Sequence, residues 1–240
     1  MRIWRTILDI VFPTSCAFCN GSVQGSEIPY FCASCWADFT LITGPVCPRC
    51  GRPFDSPDAL RCSPEHECRD CRLTPPHFDQ ALSVGYFEGA LREAIHQFKY
   101  RPCRSLGKPL GAWMAGNVRL LTGIDLIIPV PLHTSRLRHR GFNQALLLSQ
   151  WLCEKHRVPV SFDDLLRVKP TRPQVELSGA ERIANVENAF ILRNKGYMTG
   201  KKVLLVDDVF TTGATLNECA SVLKKDGAAQ VVACTLARAV

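Results

Sequence analysis

The chain has no G-x-x-x-x-G-K-[ST] segment, so it carries no P-loop, and any phosphate it binds must be cradled in another way. It also lacks the roughly 18 uninterrupted apolar residues that a bilayer span needs, so no transmembrane segment is expected. Residues 1–12 carry Arg2, Arg5 and an apolar run that Asp9 interrupts. They are short for a signal peptide and lack a clear small-residue cleavage site. A short amphipathic helix packed on the protein, and a cytoplasmic location, are the expectation. Charge is sparse at 21% against 46% hydrophobic residues, which excludes wholesale disorder and permits a packed core. The net charge of +7 suits anionic partners such as phosphates, nucleotides or nucleic acid.

Long periodic apolar stretches are missing from residues 14–75. Such a segment buries little core and needs staples. Nine of the thirteen cysteines lie between residues 16 and 71. Eight of them form four C-x-x-C pairs: Cys16 with Cys19, Cys32 with Cys35, Cys47 with Cys50, and Cys68 with Cys71. That spacing lets two thiolates reach one ion, and four thiolates close a tetrahedral zinc site. Two structural zinc ions are therefore expected, with sequential pairing of the knuckles as one arrangement and cross-bracing as the other. Cys62 and His66 lie inside the second loop as further candidates, and an Fe–S cluster uses the same four-thiolate set. Cytosolic thiols stay reduced, which favours metal over disulfides.

Thr74-Pro75-Pro76 reads as a boundary. It divides a zinc-ribbon domain, residues 1–75, from a second domain, residues 76–240. Beyond it, helical periodicity covers 88–100, 105–121, 142–153 and 213–225, and apolar runs at 126–130, 165–168, 203–206 and 230–236 read as strands. The segment 170–187 reads as a polar loop with room for a short helix. Strands alternating with helices predict an α/β domain with a parallel sheet.

The most informative stretch runs from Val203 to Thr215. An apolar strand ends in Asp207 and Asp208. A loop of Thr211, Thr212, Gly213, Ala214 and Thr215 then opens a helix. Helix N-terminal amides and threonine hydroxyls suit an anion, and the two acids can accept hydrogen bonds from ribose hydroxyls. Ligands usually bind at the carboxyl end of strands in open α/β sheets. Paired acids after a strand also occur as helix caps or phosphoacceptor clusters; joined to this loop they indicate a sugar phosphate.

Residues 203–215 resemble the 5-phosphoribosyl-1-pyrophosphate (PRPP) motif of type I phosphoribosyltransferases. Val130-Pro131-Leu132-His133 with Arg136, Arg138 and Arg140-Gly141-Phe142-Asn143-Gln144-Ala145 is similar to the signature of the ComF/GntX family. So are Phe98-Lys99-Tyr100, Pro173-Gln174, Leu177-Ser178, Arg182 and the cysteine knuckles. The resemblance implies a type I phosphoribosyltransferase fold behind a double zinc ribbon. It implies that Asp207 and Asp208 hold the ribose hydroxyls, directly or through Mg²⁺. Val209 and residues Thr211, Thr212, Gly213, Ala214 and Thr215 would line the 5′-phosphate cradle. Pro131, Leu132, His133 and Arg136 would meet pyrophosphate. Arg167, Lys169 and Arg172 would border a closing loop, Lys169 within the PRPP-binding set and Arg172 within the catalytic set. The family is associated in some bacteria with natural competence and incoming DNA.

Two functional classes follow. One is an enzyme that displaces pyrophosphate from PRPP with a nitrogen nucleophile, a nucleobase or nucleotide acceptor. The other is a PRPP sensor or an accessory factor of single-stranded DNA and the DNA-uptake machinery. No general base stands out, and Glu176 is the named candidate. The run Arg136, Arg138, His139 and Arg140 reads as a basic loop for pyrophosphate, nucleic acid or solvent.

Overall fold

The computed structural model describes residues 15–56, 58, 60–61, 63–100, 103–118, 122–170 and 179–240. Its strands are β1 (Gln80–Tyr86), β2 (Leu126–Pro129), β3 (Leu165–Arg167), β4 (Phe190–Leu192), β5 (Lys202–Phe210) and β6 (Gln230–Arg238). Its helices are α1 (Ala33–Ala37), α2 (Arg69–Leu73), α3 (Gly89–Tyr100), α4 (Gly107–Asn117), α5 (Thr134–Arg140), α6 (Gln144–His156), α7 (Gly179–Val186) and α8 (Ala214–Lys225). A 3₁₀ turn, Arg104–Leu106, leads into α4. Among the described residues no helix is long and apolar enough to cross a membrane. The amino-terminal expectation, Cys62, Arg172 and Glu176 lie outside the described residues.

Four strands form one parallel sheet in the order β1-β6-β5-β2. The central strands are apolar on both faces because helices cover both. Along β5, Leu204 and Val206 face one core with Leu91, Ile95, Phe98, Leu110, Met114, Leu148 and Leu152 from α3, α4 and α6. Val203 and Leu205 face the other with Leu216, Cys219, Ala220 and Leu223 from α8. This alternation follows from the two-residue period of a strand.

Several elements differ from the sequence expectation. β1 was not expected: its run Gln80-Ala81-Leu82-Ser83-Val84-Gly85-Tyr86 mixes polar and small residues, and tertiary pairing with β6 supplies what local pattern does not. The segment at 165–168 does form a strand, but β3 pairs antiparallel with β4 in a separate two-stranded sheet. The basic run at 136–140 is helical. His133 caps α5 by accepting from the Ser135 amide at 3.3 Å, and Gly141, at φ 77°, ends it.

The cysteine-rich region is laid along the β1 edge. Ile42 donates to the Val84 carbonyl, and Tyr86 to that of Thr40. Ala81 donates to Arg49 at 2.7 Å. A Cβ at Gly51 would sit 2.5 Å from the Ala81 carbonyl oxygen, so this approach requires glycine. The edge strand is thereby covered rather than left open for foreign pairing.

Candidate functional site

The carboxyl ends of β1, β5 and β2, with α3, α5 and α6, surround a cavity of about 370 Å³, a volume ordinary for small-molecule sites. Asp207 and Asp208 lie on its floor, where β5 runs past both acids to Phe210. Asp207 opens onto the cavity but is otherwise surrounded by protein. Burial, then the neighbouring Asp208 charge, pushes its pKa up to about 7 against the pull of Lys99. Its Oδ1 accepts from the Asp208 amide at 2.8 Å. Asp208 is paired with Lys99, whose Nζ stands 2.8 Å from Oδ1.

The loop after β5 turns through Gly213, at φ 76°. A Cβ there would lie 2.5 Å from the Phe210 ring, so conformation and space both demand glycine. The first turn of α8 follows, with the Ala214 amide directed at Thr212 Oγ1 at 3.4 Å. Thr211 and Thr215 line the cavity beside Val209.

Much of the remaining lining is basic. Arg136, His139 and Arg140 come from α5 and its end, and Arg167 from β3. Burial, then the charge of Arg140, holds Arg136 below its ordinary pKa. Burial, then Arg136, lowers Arg167 to about 10. Arg167 also stacks 5.2 Å from the Phe190 ring centroid. Arg140 lies 5.4 Å over Tyr100 and donates to Gln144 Oε1 at 3.2 Å. Gln144, itself buried, donates to the Phe98 carbonyl at 3.0 Å. Guanidinium groups crowded this way raise one another's charging cost, a cost a polyanion would remove.

Of the residues singled out in the sequence, Leu132, Arg136, His139, Arg140, Arg167, Asp207, Asp208, Val209, Thr211 and Thr215 converge on the cavity. Gly213 and Ala214 form the turn behind it, and Thr212 is exposed, its hydroxyl facing the Ala214 amide. Pro131 is half-buried, and His133 is engaged as the α5 cap. Lys169 lies on the surface and donates to the Glu187 carbonyl at 3.0 Å. Lys99, Tyr100 and Asn143 stood in the family signature without a role, and Phe87 was not foreseen as a lining residue. For Lys99 the usable signal was a lysine at the buried end of an otherwise apolar helix face.

The eight cysteines gather into two sequential quartets: Cys16, Cys19, Cys32 and Cys35, then Cys47, Cys50, Cys68 and Cys71. All ligand atoms in each lie within 4.8 Å of one another. Cys19 and Cys32 sulfurs are 3.7 Å apart, as are those of Cys50 and Cys68. A tetrahedral ion with Zn–S near 2.3 Å spaces sulfurs by about 3.8 Å, so the residues present fit zinc. Gly21 and Cys68 direct their amides at Cys19 and Cys47 sulfurs at 3.4 and 3.3 Å. The first quartet is partly open, the second fully buried. His66 stands apart from both, 5.9 Å from the Phe54 ring.

Residues 7–72 match the double zinc ribbon domain, and residues 142–239 match the phosphoribosyl transferase domain. Competence protein F of Haemophilus influenzae is 32% identical over 95% of this chain and 98% of its own length. DNA utilization protein YhgH of Salmonella typhi is 34% identical over 80% of this chain and 84% of its own. Competence protein ComFC of Bacillus subtilis is 31% identical over 86% and 83%. With a double zinc ribbon, a parallel phosphoribosyltransferase-type sheet and such relatives along most of its length, the chain belongs to the ComF/GntX family.

Proposed function

We propose that the cavity binds PRPP with Mg²⁺ and that the protein transfers its phosphoribosyl group to a nitrogen acceptor of the nucleobase class. The observation that carries this reading is the convergence on one cavity of an acid pair, Asp207 and Asp208, and three guanidinium groups, Arg136, Arg140 and Arg167. A ribose flanked by two anionic ends needs both.

In this reading Asp207 and Asp208 accept hydrogen bonds from the ribose hydroxyls. Residues 211–215 hold the 5′-phosphate on loop amides and threonine hydroxyls, helped by the α8 dipole. Arg136, Arg140 and Arg167 draw charge from the departing pyrophosphate as the bond to the anomeric carbon breaks. The new bond forms from that carbon to the acceptor nitrogen, whose proton passes to water while pyrophosphate leaves with the bonding electron pair. Bound Mg²⁺ would supply further neutralisation of pyrophosphate, and paired carboxylates beside the ribose position suit such a hard ion, through oxygen ligands. Arg172 and Lys169 flank the segment that would close over the site. The two cysteine quartets hold zinc as structural staples, because four thiolates leave no open position for catalysis. The relatives' names, competence protein and DNA utilization protein, support a setting in DNA uptake, with nucleotides or single-stranded DNA as neighbours in that process.

The test is pyrophosphate release from PRPP and Mg²⁺ across a panel of nucleobases. Release above background with one acceptor class, lost in Asp207→Asn, is the expected result. PRPP that binds without release under any acceptor would instead assign the site to sensing.

A further inference from the structure

One buried cation is not used by this chemistry. Arg238 closes β6 and is only 6% exposed, on a strand whose buried residues are apolar apart from Thr235. Burying a guanidinium is costly unless it is paired. Its partners come from two regions. Nη1 donates to the Cys50 carbonyl at 2.7 Å, and Nη2 lies 3.8 Å from the Cys50 sulfur. Its guanidinium also sits 4.1 Å over the Phe210 ring centroid. Phe210 opposes Arg238 across the β5–β6 pairing, and its carbonyl accepts from Ala239. The same ring meets Phe78 edge-on at 6.0 Å and packs under Gly213 so closely that no side chain fits.

A quartet of thiolates around a divalent ion carries excess negative charge. Two nearby cations are already engaged with acids: Arg49 with Glu67 at 2.7 Å and Arg52 with Asp70 at 2.8 Å. Arg238 therefore answers the charge of the second quartet from within the core, while its other face fixes Phe210.

We propose that Arg238 is a positioning residue that couples metal occupancy of the second cysteine quartet to the shape of the phosphate loop at 211–215. Among the described residues no buried cation links the first quartet to the loop in this way: Cys16 and Cys35 lie in the opposite core with Phe39, whose ring meets Trp113 at 5.4 Å. The coupling rests on the phosphate-binding reading above and adds to it a structural reason for attaching the ribbon to this domain. Coupling between sites is reciprocal, so a loop ligand must also protect the metal.

The experiment uses the full zinc-loaded chain and ribose 5-phosphate, which reaches the loop without pyrophosphate. Zinc is withdrawn with a chelator while alkylation of each cysteine is followed by mass spectrometry. Saturating ribose 5-phosphate is expected to slow exposure of Cys47, Cys50, Cys68 and Cys71 by about fivefold or more, leaving Cys16, Cys19, Cys32 and Cys35 unchanged. Arg238→Gln should abolish the protection and weaken ribose 5-phosphate binding by a similar factor, with partial rescue by Arg238→Lys. Binding of ribose 5-phosphate without selective protection in the wild-type chain overturns the coupling and leaves the function standing. No binding at all removes both.

Discussion

Lys99 Nζ and Asp208 Oδ1 meet at 2.8 Å at the cavity floor, the lysine arriving from α3 and the acid from β5. The pair spares Asp208 from facing Asp207 unneutralised. Lys99→Met leaves the two acids together without their paired cation, with only the weaker influence of Arg167 on Asp207. It should weaken PRPP binding about tenfold or more by lowering the cavity's positive potential, and should lower thermal stability by breaking a buried pair. Lys99→Arg should restore most of both. Unchanged affinity in Lys99→Met, by calorimetry, would remove Lys99 from the site.

Asp207 brings a pH dependence. Its pKa is raised from 3.8 to about 7 by burial and the Asp208 charge. The ionised form accepts from ribose hydroxyls, so PRPP affinity should rise with pH up to about 7 and level off above it. The stability effect has the opposite sense. The folded state keeps a proton that the unfolded chain has released, so this group's contribution declines as pH rises from about 4 to about 7. Titrations at pH 6 and pH 8, compared with Asp207→Asn, separate this from the ligand's own phosphates. A profile identical in the variant would exclude Asp207 as its origin.

Gly213→Ala tests the loop. A left-handed alanine costs roughly 1–2 kcal/mol, before the contact with Phe210 is relieved. A melting point lower by about 2–8 °C, with loss of ribose 5-phosphate binding, is expected. A variant that binds normally would show that the turn does not shape the phosphate site.

Arg136→Met separates the two ends of the ligand. It should weaken PRPP much more than ribose 5-phosphate, because only PRPP carries the pyrophosphate assigned to the basic wall. Equal weakening of both ligands would move Arg136 to another role.

The strand-to-loop motif at 203–215 and the four cysteine pairs were legible because their chemistry is local: each is a short run whose spacing sets its geometry. The central strands were legible because both their faces are apolar. β1 was not, since its pairing with β6 joins residues about 150 positions apart, as at Ser83 and Thr235, whose hydroxyls bond at 2.8 Å. Lys99 was missed for the same reason: its partner Asp208 is distant in sequence and no local pattern marks the pair. The basic run at 136–140 hid a helix because its caps, His133 and Gly141, are read only with the backbone in view.

The central claim is most directly tested by calorimetric titration of PRPP with Mg²⁺ into the zinc-loaded protein, beside the Asp207→Asn/Asp208→Asn double variant. The account expects saturable binding that the folded double variant loses. Absence of binding to folded wild-type protein, or equal binding to the double variant, would contradict it.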